Sequence, residues 1–362
     1  MYYYKVAELV LQSTCKLFSF GEFECHPVKA DVILEETDEL PPEGKDIHSG
    51  AVVHRQISDG WFFHSGHTDT VGVYVHSEYT QLKVFGVKEK KIPGWMEWYI
   101  RIALECRLIR MGYISLHAAA VEKQGEAYAF TAPSGVGKST RAEAWIKALD
   151  AKLINGDRPL INVKDLELYG VPWDGKEQCF RNVHYPLKAI CEVRRSESVY
   201  LRAMSFMQRR KLLLQQSFIP MWDSETAAIQ IANISRLAAK AEMVRAFCGP
   251  DEEGAKALYS ALKEHQILKE ELDMKAKQGF VLRNIVDEFI LMPTGDNIGK
   301  FNGSVLLNEV SAFIWEKLQN PISKEDLLKA ILDEFEVERA VAATDLNALL
   351  AKLKEYDVIE DD

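Results

Sequence analysis

The 362-residue sequence has no C-x-x-C pair and no zinc-type spacing among its six cysteines (15, 25, 106, 179, 191 and 248). Scattered thiols of this kind fit free cysteines in a reducing compartment, not a disulfide framework or a zinc site. No apolar run approaches the roughly 18 residues of a spanning helix. The opening Met1-Tyr-Tyr-Tyr-Lys-Val lacks the basic-then-apolar profile of a signal peptide. A cytoplasmic protein with no membrane partner is expected. Basic excess is missing as well. A net charge of −10 leaves little for phosphate neutralisation, so no nucleic-acid partner is expected. Internal repeats and low-complexity tracts are absent, and the length points to two or three ordinary domains.

One more absence frames what is present. The common phosphate-loop pattern G-x-x-x-x-G-K-[ST] lacks its first glycine, where Ala132 stands, but is otherwise complete through Thr140. Segment 126–131 reads as a strand before it and 141–149 as a helix after it. Strand, glycine loop and helix are the context in which backbone N–H groups and a helix N-terminus cradle phosphate. Ser134, Gly135, Val136, Gly137, Lys138, Ser139 and Thr140 are therefore candidate nucleotide contacts. Lys138 would meet the β/γ-phosphates and the Ser139 hydroxyl a Mg²⁺ ion. An apolar segment, 151–156, then delivers Asp157 and Arg158. A second strand that presents an acid to Mg²⁺ or to the attacking hydroxyl is common in phosphoryl transfer. His117 is the one ionisable interruption of the apolar strand 114–121, either a satisfied core histidine or a site residue. The turn-rich 169–177, with Trp173, Lys176 and Glu177, reads as a surface connection or a phosphate-contacting lid.

The flanks are less pointed. Residues 1–93 alternate apolar and polar side chains, as at 18–23 and 71–76, and predict a mostly antiparallel sheet. His64, His67 and Asp69 are close enough for a metal reading, although a solvated hairpin turn is the expectation. Pro93-Gly94 breaks the chain before a helix over 95–110, with Trp95 and Trp98 as expected core anchors. Residues 205–265 look helical, and 266–278 reads as a charged linker.

His117, Ser134 to Ser139 and Asp157-Arg158, in this order and spacing, resemble the catalytic domain of HPr kinase/phosphorylase. That fold is shared with ATP-dependent phosphoenolpyruvate carboxykinase. The resemblance covers about residues 110–195. It implies a mixed α/β core, ATP and Mg²⁺ as cofactors, metal ligation by Ser139 and Asp157, and catalytic roles for Asp157, His117 and Lys138. Arg158 and Lys176 are carried as substrate or phosphate contacts. Two departures stand out: Gly156-Asp157 replaces two consecutive acids, and 170–176 matches the family signature only loosely. HPr itself is not carried over as the substrate, and phosphorylase activity is not expected.

The C-terminal part reads as three strands, 279–286, 288–293 and 303–308, followed by helices 309–318, 324–335 and 341–356, with Ser323 capping the second. Three strands and three helices suggest a winged-helix-like domain. Nine basic against seventeen acidic residues over 277–362, a net of −8, argue against DNA. The strand order, Leu307-Asn308 before a helix, and Val358-Ile359 after the last helix resemble the PqqD-like domain, which recognises leader peptides of ribosomally made, modified peptides. That resemblance places the peptide against Ser304, Val305, Leu306 and Leu307, with Asp345 and Glu355 nearby favouring a basic leader.

The expected fold class is therefore α/β (α+β): a β-rich region over 1–93, an HPr-kinase-like ATP-binding domain over 94–265, and a PqqD-like domain over 279–362. The expected function is phosphorylation of a Ser or Thr hydroxyl on a precursor peptide. A kinase for a small molecule such as free serine, and an ATP-gated peptide carrier, are the alternatives. A homo-oligomer is compatible with the sequence.

Overall fold

The computed structural model describes residues 1–49, 52–65, 70–87, 92–132, 137–173, 181–196, 198–268, 274–285, 288–297 and 305–361. The chain is a mixed α+β protein in two compact units, Met1–Leu268 and Lys269–Asp362. Among the described residues no helix is long and apolar enough to cross a membrane.

The first unit opens on a sheet of eight strands among the described residues, from Tyr2–Val6 at one edge to Asp46–Ser49 at the other. It is mostly antiparallel, except that Val32–Thr37 runs parallel to both neighbours. Residues 18–23 are a 3-10 helix and not the strand their alternation suggests. Phe20 and Phe23 are buried while Phe18 is 72% exposed, which is burial at a spacing of three. Helix α1 (Gly94–Arg110) packs on this sheet through Met96, Tyr99, Ile100 and Ala103. Trp95 and Trp98 are each 38% exposed and meet Tyr99 edge-on, so they flank the core and do not anchor it.

A second, mixed sheet carries the site. Glu126–Thr131 lies between Ala118–Lys123, antiparallel, and His184–Arg195, parallel. Lys152–Asn155 pairs with the far side of Ala118–Lys123. Period-two alternation gives the sheet two apolar faces. Ala119, Val121, Tyr128 and Phe130 pack under α2 (Lys138–Leu149). Ala118, Ala120, Ala127 and Ala129 face α3 (Phe206–Gln216) and α4 (Ser224–Lys240). Helix α5 (Glu252–Lys263) lies on the first face. Two expectations need correction. Met243–Cys248, inside the region read as helical, is a strand parallel to His184–Arg195, because a short apolar run carries no period to tell strand from helix. The strand read over 114–121 is two, Tyr113–Ser115 and Ala118–Lys123. Between them Leu116 bridges Ser217.

The second unit holds a three-stranded sheet, Phe280–Ile285, Glu288–Pro293 and Val305–Leu307. Helices α6 (Glu309–Lys317), α7 (Lys324–Glu334) and α8 (Arg339–Glu355) close a core that includes Leu291, Trp315, Leu327 and Leu346. Ser323 caps α7, its hydroxyl accepting the Asp326 N–H at 3.1 Å. The unit has a further two-stranded sheet, Met274–Ala276 with Ile359–Asp361. Part of the segment read as a linker is therefore strand, its partner lying at the far end of the unit where local pattern gives no sign. Ile267–Leu268, also read as linker, pairs with Leu201 and Arg202 in the first unit.

Candidate functional site

Three segments leave the second sheet at one end. Ala118 pairs with Thr131 and Ala120 with Asn155, so His117, Ala132 and Asp157 emerge together. A register shift beside Ala120 bends the strands there.

A turn places Asp157. The fully buried Asn155 accepts the N–H of Asp157 at 3.0 Å and of Arg158 at 2.7 Å on its Oδ1, an Asx turn. Its Nδ2 donates to the Trp173 carbonyl at 3.4 Å. The Asp157 carbonyl accepts the Ala118 N–H at 2.8 Å. The carboxylate, 30% exposed, has Oδ1 3.3 Å from His117 Nε2 and Oδ2 4.0 Å from Arg158 Nε.

His117 is held through its backbone. Its N–H donates to the Gln216 carbonyl at 2.7 Å, and its own carbonyl accepts the Thr131 hydroxyl at 3.0 Å. Burial pushes the imidazole pKa down, and the nearby Lys138 and Arg158 push the same way. Asp157 and a hydrogen bond with the Gln216 side chain oppose them.

Lys138 opens α2 and donates from Nζ to the Ala132 carbonyl at 3.0 Å. Burial lowers its pKa, opposed by the charge of Asp157. Gly137 precedes it at φ 102°, a conformation strained for any residue with a Cβ. As N-cap it offers no capping side chain, and the first turn holds no acid. The helix end therefore favours an anion. Ser139 is half-buried and Thr140 exposed.

The arrangement joins a cation and a helix N-terminus, suited to phosphate, to a carboxylate–imidazole pair suited to a proton. Among the described residues no group of three His, Cys, Asp or Glu side chains is placed to hold a metal ion. Ser139 and Asp157 are hard oxygen donors, the kind Mg²⁺ takes while keeping waters and phosphate oxygens. Ser134, Gly135, Val136, Lys176, His67 and Asp69 lie outside the described residues. His64 is not in a solvated turn. It is 1% exposed, with Nε2 3.1 Å from Asp46 Oδ1, which also accepts Arg55 Nε at 2.6 Å.

The second unit offers a different site. Val305–Leu307 pairs with Glu288–Pro293 alone among the described residues, leaving an edge of open backbone groups. A cavity of about 420 Å³ lies between this strand and α8. Val305, Leu306, Leu307 and Asn308 line it on one side, and Leu349, Lys352, Leu353 and Tyr356 on the other. Leu349, Lys352 and Leu353 of α8 and its C-cap residue Tyr356 sit at i, i+3, i+4 and i+7, one stripe of the helix. Ser304 lies outside the described residues. Asp345, exposed and one turn before Leu349, does not line the cavity, and neither does Glu355. The one charged residue in the lining is Lys352, while Asp345 and Glu355, the acids named from sequence, lie on the same helix outside the lining. Asn155, Gln216 and Lys352 were not singled out from sequence. An Asn two residues before Asp157 and the apolar stripe around Lys352 were the available signals.

No curated protein matches the chain. A solved structure of TbiB1 in complex with the TbiA(beta) leader peptide is 26% identical over 24% of this chain and 94% of that one, with a TM-score of 0.21. Lasso peptide synthetase B1 complexed with the leader peptide is 24% identical over 24% of this chain and 98% of that one, with a TM-score of 0.21. Residues 288–359 match the family of coenzyme PQQ synthesis protein D (PqqD). All the residues named around the cavity fall inside that match, so the cavity belongs to a PqqD-like domain.

Proposed function

We propose that the chain is an ATP-dependent kinase that phosphorylates a serine or threonine hydroxyl of a ribosomally made precursor peptide, whose leader its second unit holds. The observation that carries the kinase reading is the meeting of Lys138, Asp157 and His117 at an uncapped helix N-terminus. Lys138 and the first turn of α2 bind the β/γ-phosphates of ATP, with Arg158 beside them. Ser139 and Asp157 hold Mg²⁺, which supplies charge neutralisation on the phosphates when bound. The peptide hydroxyl oxygen bonds to the γ-phosphorus as the bond to the ADP oxygen breaks, and the hydroxyl proton passes to Asp157. His117 orients that carboxylate and is the alternative acceptor. Positioning and electrostatics supply most of what phosphoryl transfer needs.

The peptide reading rests on the PqqD match and the open strand edge. A disordered leader adds there as a further strand, with main-chain bonds for affinity and side-chain pockets for specificity.

The test incubates the full chain with labelled ATP, Mg²⁺ and any short precursor peptide encoded beside its gene, then reads phosphate on the peptide by mass spectrometry. Lys138→Ala should abolish transfer while leaving the circular dichroism spectrum unchanged. ATP turnover equal to wild type in Lys138→Ala removes the phosphate-site assignment. Binding of ATP and peptide with no phosphate on the peptide makes the chain a carrier.

A further inference from the structure

We infer that Lys352 selects the leader: the segment added along Val305–Leu307 carries an acidic side chain against Lys352. Two residues away it carries an apolar side chain that enters between Leu349, Leu353 and Tyr356. This rests on the reading of the second unit as a peptide holder and adds the chemistry that unit recognises.

Lys352 is the charged residue in a lining that is otherwise apolar or polar. Three cations of the same unit are paired, Lys275 with Glu360, Lys277 with Asp357 and Arg339 with Glu325, whereas Arg283, Lys324 and Lys329 make no ion pair among the described residues but lie off the cavity wall. Lys352 makes no such pair among the described residues, although the unit is strongly acidic. A lysine in the last helical turn also suits the helix dipole. Lys354 already does that from off the stripe, so the dipole does not account for a cation on the cavity wall. The polar neighbour Asn308 is occupied, its Oδ1 accepting the Ser311 N–H at 2.8 Å.

Spacing sets the pattern. From Leu349 to Tyr356 the stripe covers roughly 10 Å of helix axis. Side chains on one face of an added strand recur every ~7 Å, so two successive ones fit the stripe. Main-chain pairing is blind to sequence, which leaves discrimination to these two side chains. Because Lys352 is exposed, its pair should change affinity by about fivefold or less, enough to bias selection without dominating binding.

The experiment pans a library of random peptides on the immobilised full chain and on Leu306→Ser, Lys352→Gln and Lys352→Glu. Leu306 is 63% exposed, so its replacement leaves the core untouched. Peptides enriched by wild type and lost on Leu306→Ser are cavity binders. They should share Asp or Glu two residues from an apolar residue. Lys352→Gln should weaken them by up to about fivefold, and Lys352→Glu should enrich Lys or Arg at the same position. Cavity binders without an acidic position, or the same peptides retained by Lys352→Glu, overturn the inference and leave the peptide-holding reading standing. If no enriched peptide depends on Leu306, the peptide-holding reading fails and the inference with it.

Discussion

Asp157 and His117 face each other, and the two side chains are not interchangeable. Asp157 Oδ1 lies 3.3 Å from His117 Nε2, and in the proposed reaction only the carboxylate would also offer negative charge to a magnesium ion. Asp157→Asn keeps the shape and the Asx turn, since the turn is made by Asn155 and the backbone N–H groups. It removes the charge and the proton acceptor. The expected loss in kcat is about 100-fold or more, in line with general-base contributions, read with labelled ATP at saturating peptide. If Asp157→Asn keeps most of its rate while His117→Ala loses it, the acceptor is His117. His117 and Asp157 were each legible, the first as the ionisable residue in an apolar run and the second as the acid after an apolar segment. Their contact was not, because it exists only once Lys152–Asn155 pairs with Ala118–Lys123.

At the scale of elements, part of what holds His117 comes from outside its own sheet. Gln216 and Phe218 flank it, the Phe218 N–H donating to the Ser115 carbonyl at 3.3 Å. The loop that follows is tied down at Asp223. Asp223 Oδ1 accepts the N–H groups of Glu225 at 3.1 Å and Thr226 at 3.2 Å, capping α4. Its Oδ2 accepts the Tyr79 hydroxyl at 2.9 Å and lies 3.7 Å from Arg110 Nη2. Tyr79 is fully buried and stacked on Trp61, and burial pushes its pKa far up, so it stays a donor. Thus the N-terminal sheet, α1 and α4 meet at one carboxylate. Tyr79→Phe leaves Asp223 short of a donor and should cost roughly 1–3 kcal/mol. That would appear as a lower urea midpoint with an unchanged m-value. An unmoved midpoint would show that Arg110 alone satisfies the carboxylate. None of this was visible in the sequence, where Tyr79 and Asp223 stand far apart. Elements with a strong period were legible, as with α1 and the three C-terminal helices. The 3-10 turn at Phe18–Phe23 and the strand Met243–Cys248 were not, since alternation and short apolar runs are ambiguous until tertiary packing decides them.

The molecule as a whole is two units, each with a hydrophobic core of its own, and the division separates the tasks proposed here. Every described residue assigned to phosphoryl transfer lies before residue 268, and every described cavity residue lies after it. Leader binding is the same in ground state and transition state, since the leader does not react. Interactions of that kind lower KM without raising kcat. A tethered leader also raises the local concentration of the reacting segment, to millimolar values for short linkers. Ending the chain at Leu268 should therefore raise KM for the peptide by at least about tenfold, roughly 1.4 kcal/mol of lost binding, while basal ATP hydrolysis persists. Added in trans, residues 269–362 should inhibit the full chain by sequestering the leader. Anisotropy of a labelled peptide, titrated with both forms, separates the outcomes. Equal affinity of the full and shortened chains would assign peptide capture to the first unit. Undiminished phosphorylation of free serine by the shortened chain would instead make the reaction a small-molecule phosphorylation, with no leader in its substrate.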